Sequence, residues 1–376
     1  MSTSLMTTGV LWTHDLEPSD IPMVSSIIPV PDLGIAVASD GRALYALRMQ
    51  TGERIWGIPA AQGPIAGLAV DNVSVYITDG PLLRSISLRD GSEQWRYADS
   101  ALSDPYVSPP VGGAHTVLTL GPDATVRAVR ASNGAELWTR RYTDEITSPP
   151  ALDDTAVYYV GDGVVQAVDQ MSGQLKWRFV PETGGPQCMQ QLIRAGRGLV
   201  AVAWPNGYAI NAQTGVVDSA YSFLGNPEPE FAVTDVVISP DRPLMCLGNN
   251  INHAFVKKYD TGFTGYYPGE YAPQPSSSNG TITAAFAGAQ LVLCQVQGDA
   301  GTSRLSLVDV GTWSAAYQDL PESAGFTVNG IVLPPPTMMM PDLRITSGVV
   351  YLPVVSPDAF TPPNQPLVQV QAVRLM

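Results

Sequence analysis

One short phrase recurs along most of this sequence, and this repeat constrains the fold more than any other feature. Each copy contains alternating apolar residues, a turn that ends in Gly, and a Trp four residues after that Gly. A small residue, Ala or Ser, stands six positions before each Gly. The four clearest copies occupy residues 43–56, 82–95, 125–138 and 164–177. Self-similarity at a regular interval is typical of repeat architectures.

The interval between copies matches the number of residues in one four-stranded propeller blade. The Gly residues of successive copies lie 39 to 49 positions apart, and they are Gly52, Gly91, Gly134, Gly173, Gly215, Gly262 and Gly311. Period-two alternation predicts strands, and a turn Gly adopts positive φ at little cost. We expect each Trp to begin a fourth strand and to bury its ring between adjacent blades. The small residue leaves room where sheets approach closely.

The two ends of the sequence complement each other. Residues 7–16 form a Gly-then-Trp phrase with nothing before it, whereas residues 366–376 have the pattern of a third strand. The N-terminal strand is therefore predicted to complete the last blade, which hides its edges and closes the ring. The predicted fold class is all-β: a single eight-bladed β-propeller domain of four-stranded antiparallel blades over residues 1–376. Blade eight is shared between residues 7–16 and 337–376.

Residues 40–56 (DGRALYALRMQTGERIW) and 161–177 (GDGVVQAVDQMSGQLKW) resemble the repeat of pyrroloquinoline-quinone (PQQ) type propellers. The resemblance implies the fold, and it is poorly specific for function. Proteins with this repeat include quinoprotein dehydrogenases, an outer-membrane assembly lipoprotein and sensor domains of bacterial kinases. The dehydrogenases share a pair of adjacent cysteines, whereas Cys188, Cys246 and Cys294 stand far apart here. No quinone or other cofactor is therefore predicted.

Charge and composition limit the classes of binding partner and the cellular locations that we expect. The net charge of −14 argues against nucleic acid or an anionic membrane surface, which bind clustered Lys and Arg. No apolar run is long enough for a membrane span, and residues 1–8 lack the pattern of a signal peptide. The sequence thus predicts a cytoplasmic protein. Export by a non-standard route, or prior removal of a signal, stays open.

No residue pattern in the sequence predicts catalysis or metal binding. The three histidines, His14, His115 and His253, are not at metal-ligand spacing. The adjacent acids Asp153 and Asp154 lie in a predicted turn and are expected to be solvated. Four other acids recur at equivalent turns and are expected to shape them rather than to bind calcium: Asp40, Asp79, Asp123 and Asp162.

Four long segments are predicted to lie on one face of the ring, namely residues 267–280, 297–303, 319–337 and 355–366. Long loops commonly carry function, and these are rich in Pro, Ser and aromatic residues, which suits contact with a protein or small ligand. This face is the predicted binding surface, and five aromatic residues are its candidate anchors: Tyr266, Tyr267, Tyr271, Phe326 and Phe360. The alternative is that the loops merely cover the weaker blades.

The central channel is a second candidate site, suited to a small ligand. Polar residues expected on inner strands are its candidate liners: Ser108, Ser148, Gln190, Asp235 and Asn329. The predicted function is a noncatalytic protein-interaction scaffold, or a subunit of a larger assembly, whose partner is another protein. The alternative is a lyase-like, cyclase-like or quinoprotein-like enzyme, or a small-ligand receptor, that uses the channel or the same loop face.

Overall fold

Each repeated phrase forms the third and fourth strands of one antiparallel sheet in the computed structural model. In the first phrase Ala43–Arg48 pairs with Arg54–Pro59, and Gly52 adopts a φ of 71° in the turn between them. Two further strands precede the phrase in the same sheet. Eight such sheets follow one another along the chain, and the predicted eight-bladed PQQ-type propeller is confirmed.

The structure describes most residues of blades one to five and mainly the strands of blades six to eight. The described residues are 3–5, 9–16, 27–99, 104–106, 109–113, 115–141, 149–161, 164–181, 192–204, 206–218, 233–239, 244–249, 253–258, 264–268, 280–287, 290–297, 303–309, 315–320, 326–328, 331–333, 344–346, 349–355 and 368–374.

The strands of each blade are given from the first, innermost strand to the last. Blade one contains Ile28–Val30, Ile35–Ser39, Ala43–Arg48 and Arg54–Pro59, with a short 3-10 helix at Pro31–Leu33. Blade two contains Ile65–Val70, Ser74–Asp79, Leu82–Ser87 and Glu93–Ala98. Blade three contains Val111–Gly112, Thr116–Leu120, Thr125–Arg130 and Glu136–Arg141. Blade four contains Ala151–Leu152, Ala156–Gly161, Val164–Asp169 and Leu175–Phe179.

The later blades follow the same order. Blade five contains Leu192–Gly196, Leu199–Trp204 and Asn206–Asn211, and Val217 forms a bridge to Ile210 beyond them. Blade six contains Val233–Ile238, Leu244–Asn249, His253–Lys258 and Thr264–Pro268. Blade seven contains Gly280–Ala287, Gln290–Gln297, Ser303–Asp309 and Ala315–Leu320. Blade eight contains Arg344–Thr346, Val349–Val355, Val368–Arg374 and Gly9–Asp15.

The Trp residues of blade eight and of blades one to four each dock on the turn of the next blade. Each indole N–H donates to the carbonyl three residues before the turn Gly: Trp12 to Met49 (2.7 Å), Trp56 to Leu88 (3.1 Å), Trp95 to Ala131 (2.8 Å), Trp138 to Gln170 (3.0 Å) and Trp177 to Ala212 (2.8 Å). A Cβ atom on each turn Gly would lie within 3.0 Å of the indole. Only Gly therefore combines the positive φ with this close approach.

In blades two, four and eight the small residue of the phrase lies in a row between two large rings. Ser85 of the third strand in blade two pairs with Tyr76 on one side and with Trp95 on the other. The ring centroids of Tyr76 and Trp95 are 5.8 Å apart. Ala167 lies in the same way between Tyr158 and Trp177 of blade four. The two rings close over the short side chain, so a large residue at this position would force them apart.

A β-bulge precedes each of these Trp residues. In blade one, Ala46 pairs with Trp56 but its neighbour Leu47 pairs with Arg54, so Ile55 is an extra residue. Blades two, three, four and eight show the same shift of register. A bulge bends its strand and increases the local twist. The four-residue spacing between Gly and Trp therefore encodes the bulge.

The N-terminal strand closes the ring as predicted. Gly9–Asp15 pairs with Val368–Arg374, and Trp12 lies opposite Ala372, the predicted small residue. The other side of Trp12 meets blade one, where its ring covers Gly52. Residues of blades eight and one form one buried apolar cluster that includes Trp12, Tyr45 and Tyr351. Similar clusters lie between blades one and two, two and three, three and four, and four and five.

Blade seven carries one strand that the sequence analysis did not predict. Thr3–Leu5 pairs in parallel with the first half of Ala315–Leu320, so that Thr3 lies opposite Ala315 and Leu5 opposite Tyr317. The first fifteen residues therefore contribute strands to two blades, since Gly9–Asp15 belongs to blade eight. A further hairpin of Phe326–Val328 and Ile331–Leu333 lies between blades seven and eight.

We expect Gly173→Ala to destabilise the fold more than Gly34→Ala. Both glycines have positive φ, 68° and 64°, so alanine costs about 1–2 kcal/mol at either site. At Gly173 the added Cβ would also lie 2.8 Å from Cγ of Trp138, whereas it would meet nothing within 4 Å at Gly34. Urea unfolding should show an additional loss of about 1–3 kcal/mol for Gly173→Ala. Equal losses at the two sites would show that the indole does not constrain the turn.

Candidate functional site

The strand order places two kinds of connection on opposite faces of the ring. Turns between first and second strands and between third and fourth strands lie on one face, where the Trp rings dock; we call it the indole face. Turns between second and third strands and the connections between blades lie on the other, the linker face. The four long segments singled out from the sequence all join strand ends on the linker face. For example, Pro268 ends a fourth strand and Gly280 begins the next first strand.

On the linker face, Asp79 fixes the connection between blades one and two. Its buried carboxylate accepts backbone N–H bonds from Ala61, Gln62 and Gly63 at 2.7, 2.9 and 3.2 Å. Nη1 of Arg84 also donates to Oδ2 of Asp79 at 2.6 Å. Hydrogen bonds to a charged acceptor are roughly twice as strong as neutral ones. Three consecutive residues of the connection are thereby held against the second-to-third turn of blade two.

A buried arginine fixes the next connection in a similar way. Arg127 is 2% exposed, and its guanidinium pairs with Asp99, which follows the fourth strand of blade two, and with Asp123 at 2.9 Å. Burial opposes the charge on Arg127, but the hydrogen bonds to the two carboxylates outweigh it and hold its pKa above the ordinary value. A buried charge is tolerated only when it is paired in this way.

Third-strand residues seven positions before the turn Gly form a recurrent polar row beneath the linker face. The row is Tyr45, Arg84 and Arg127 in blades one to three, and each side chain bonds the acid of its own second-to-third turn. The Tyr45 hydroxyl, for example, donates to Asp40 Oδ2 at 2.9 Å. The sequence analysis missed this row because it compared only small and aromatic positions. Aligning the phrases on their Gly residues would have revealed it.

The recurrent turn acids behave partly as predicted. Asp40 shapes its own turn, because Oδ1 accepts the N–H groups of Arg42 and Ala43 at 2.8 and 2.7 Å. Asp79 instead bonds the preceding connection, and Asp123 bonds Arg127. Asp162 lies outside the described residues.

Asp153 on the indole face is a turn organiser rather than a solvated charge. Its Oδ1 accepts the N–H groups of Thr155 and Ala156, and Tyr158 donates to Oδ2 at 2.6 Å. Burial alone would raise the pKa of Asp153, but these hydrogen bonds outweigh burial and lower it. The prediction of a solvated acid pair was therefore wrong for half-buried Asp153 and correct only for exposed Asp154.

The structure places four of the ten predicted site residues in strands. Tyr266 and Tyr267 lie in the fourth strand of blade six, opposite Phe255 and Ala254, so Tyr267 belongs to a strand and not to the predicted long segment 267–280. Phe326 begins the short hairpin before blade eight, and Asp235 lies in the first strand of blade six. The other six lie outside the described residues: Ser108, Ser148, Gln190, Tyr271, Asn329 and Phe360. The binding role of all ten stays a prediction.

The described histidines lie in separate elements. His14 is in the fourth strand of blade eight, His115 precedes the second strand of blade three, and His253 begins the third strand of blade six. Within the ranges that the structure describes, no group of three or more His, Cys, Asp or Glu side chains could hold a metal ion. Over the same part of the chain, no helix is both long and apolar enough to cross a membrane.

An eight-bladed ring whose Trp residues dock on the Gly turns of the following blades defines the class of PQQ-type propellers. The sequence model of the family described as outer membrane protein assembly factor BamB matches residues 4–110 and 86–242, which together make up more than half of the chain. The chain belongs to this family.

Curated relatives match only part of the chain. It is 32% identical over 163 residues to serine/threonine-protein kinase AfsK of Streptomyces griseus, which covers 39% of this chain and 20% of the kinase. It is 24% identical over 181 residues to outer membrane protein assembly factor BamB of Yersinia pestis, which covers 44% of this chain and 46% of that protein. The chain thus spans less than half the length of these relatives.

Solved structures share the fold over nearly the whole chain. BamB from Moraxella catarrhalis has a TM-score of 0.65 at 14% identity, over 98% of this chain and all of that one. Quinohemoprotein alcohol dehydrogenase ADHIIG from Pseudomonas putida HK5 has a TM-score of 0.57 at 14% identity, over 98% of this chain and 76% of that one. At such identities the likeness shows the fold alone.

The predicted cytoplasmic location was wrong. It rested on the absence of a recognisable signal in the first residues, whereas the family and a curated relative carry the name of an outer-membrane assembly factor. That name refers to the cell envelope. The prediction took the location from residues 1–8, but Thr3–Leu5 and Gly9–Asp15 form strands of the propeller and carry no information on location.

We expect Asp79→Ala to be strongly destabilising and to loosen the connection between blades one and two. The substitution leaves three backbone N–H groups without their acceptor and removes one of the carboxylates paired with Arg84. Breaking a buried ion pair of this kind costs about 3–5 kcal/mol. Asp90→Ala, at an exposed turn of the same blade, should cost well under half as much. Urea unfolding and limited proteolysis at residues 60–64 measure both effects, and equal losses would contradict the anchoring role.

We expect the stabilising effect of Asp123 to disappear in acid. The Arg127 guanidinium beside it, helped by the Thr125 hydroxyl, holds the pKa of Asp123 below its usual range. A carboxyl with a lowered folded-state pKa stabilises the fold above its unfolded pKa of about 3.9, and the effect is lost as pH falls through the folded pKa. The stability difference between the parent and Asp123→Asn should therefore be constant from pH 7 to 5 and shrink below about pH 4. A difference independent of pH in urea unfolding would refute this linkage.

Proposed function

We propose that this protein is a binding platform for another protein and serves as an interaction or assembly factor of the cell envelope. Support comes from its membership of a family described as an outer membrane assembly factor. The observation that carries the proposal is the anchoring of the linker face. There, buried Asp79 and Arg127 hold successive connections between blades against the body of the propeller.

Anchored connections favour binding because they are already ordered before the partner arrives. Association normally requires loops to lose conformational freedom, and a preorganised surface reduces that cost. Further hydrogen bonds extend the order across blades: Ile65 N–H donates to the Gly41 carbonyl at 2.7 Å, and Tyr106 N–H to the Gly80 carbonyl at 2.9 Å. In our proposal, the ordered connections of blades one to three and the long segments of blades six to eight together form the binding surface on the linker face.

The chemistry of the long segments suits a protein partner. They are rich in Pro, Ser and aromatic residues and contain no Lys, as in 267–280 (YPGEYAPQPSSSNG). Aromatic residues are enriched at the centres of protein interfaces. Tyr271 and Phe360 remain our candidate anchors within the segments. Tyr266, Tyr267 and Phe326 remain candidates at adjoining strands.

A variant in which residues 269–279 are replaced by a short Gly-Ser linker should lose partner binding. The replacement leaves the bounding strands Thr264–Pro268 and Gly280–Ala287 intact. The partner is first identified by cross-linking in cell-envelope fractions, and its affinity for purified parent and variant is then measured. Loss of anchor residues at an interface typically costs at least about 2 kcal/mol, or roughly thirtyfold in affinity.

Matched controls lie on the opposite face of the ring. Val73 and Met171 are exposed on the indole face, so Val73→Ser and Met171→Ser alter apolar surface there without touching the linker face. These variants should bind the partner as the parent does. Unchanged affinity of the linker-face variant, combined with a normal melting temperature, would reject the proposed surface.

A further inference from the structure

The outer edge of blade seven is covered by a segment from outside that blade. Thr3–Leu5 lies in parallel against Ala315–Tyr317, whereas Ser303–Asp309 pairs with the other edge of the same strand. Among the strands that the structure describes, this is the one case of a fifth strand on a blade. The edge of a sheet presents unpaired backbone N–H and C=O groups that attract another strand.

The sequence of this edge lacks the Lys, Arg or Pro residues that protect the edges of blades one to four and six. Proteins discourage unwanted pairing with Lys or Arg on edge strands, or with Pro. The fourth strands of blades one to four all contain Lys or Arg, and that of blade six ends in Pro268. Ala315–Leu320 has none of these residues, a feature that it shares with Gly9–Asp15 of blade eight. Its first four residues, Ala-Ala-Tyr-Gln, are uncharged, and its one acid, Asp319, lies beyond the covered residues 315–317. Protection of this edge therefore falls to the covering strand.

The covering strand is short enough to be exchanged. It contributes three residues, and parallel pairing is slightly less stable per residue than antiparallel pairing. The few ladder bonds gained are opposed by the loss of backbone freedom in the ordered residues. Only Met6, Thr7 and Thr8 separate it from Gly9–Asp15 of blade eight, so it stays close to the edge after release. Such a strand can occupy the edge while no partner is bound and can be displaced by a longer competing strand.

We propose that Ala315–Leu320 is a docking edge for an extended, uncharged segment of a partner protein, which adds to blade seven as a parallel strand and displaces Thr3–Leu5. The seated strand, Thr-Ser-Leu, indicates the chemistry that the edge accepts: small or apolar residues without charge. Strand addition of this kind takes its affinity from main-chain hydrogen bonds. The edge lies on the rim of the ring, separate from the linker face, so it provides a second contact for the platform.

The test uses a fluorescent synthetic peptide with the sequence of residues 2–8, Ser-Thr-Ser-Leu-Met-Thr-Thr, and the chain with residues 1–6 removed. The truncated chain lacks its tethered competitor and should bind the peptide at least about tenfold more tightly than the full chain does. A peptide with Ser4→Pro should bind weakly to both, because proline disrupts strand pairing. Fluorescence anisotropy gives the affinities, and melting temperatures verify that both chains are folded.

Hydrogen exchange locates the binding. Those amides of 315–317 that face the covering strand should be protected in the full chain, lose protection on truncation and regain it with the peptide, whereas amides that face Ser303–Asp309 should stay protected. Equal peptide affinity for the two chains, no binding to either, or restored protection at another strand would overturn the docking edge. The variant with residues 269–279 replaced keeps the covering strand Thr3–Leu5, so its affinity for the peptide should equal that of the full chain. Failure of the linker-face proposal and failure of this one are therefore distinguishable.

Discussion

The contact between a Trp indole and the Gly turn of the next blade is the interaction on which this fold depends. The indole belongs to the fourth strand of one blade, but its N–H and its ring serve the turn of the following blade, as Trp138 does for the turn that ends in Gly173. Burial of a large apolar side chain contributes about 1.5–3 kcal/mol, and the hydrogen bond about 0.5–1.5 kcal/mol more. Because each contact joins two blades, the stability of the fold depends on interactions between neighbouring blades as well as on the single sheets.

The closed ring of blades could be predicted from the sequence because the repeated phrase combines several local structural requirements. The Gly spacing gave the blade count, and the lone phrase around Trp12 gave the closing strand. The polar row could be found by aligning the phrases, but the β-bulge became visible only with strand register, as the pairing of Ala46 with Trp56 shows. Thr3–Leu5 was missed because three uncharged residues carry no periodicity that could be recognised.

The candidate site was less predictable for a physical reason. Connections between blades have no shared period, and their order depends on long-range partners such as Asp79 with Gln62 or Arg127 with Asp99. The turn acids were found from their recurrence, yet nothing local indicates that Asp79 bonds a connection while Asp40 bonds its own turn. The same limit explains why Tyr267 was assigned to a loop when it continues a strand.

The strand that closes blade eight has a consequence for how the polypeptide acquires its structure. Gly9–Asp15 is synthesised well before its hydrogen-bonding partner, Val368–Arg374, because more than 350 residues separate the two strands. Pairing across so large a separation raises the entropic cost of closing the ring, which extends the lifetime of states in which blade eight is incomplete. During synthesis an unpaired, apolar strand that contains Val10, Leu11 and Trp12 must be kept from aggregating. We expect such a nascent chain to need protection of Gly9–Asp15 until Val368–Arg374 has been synthesised.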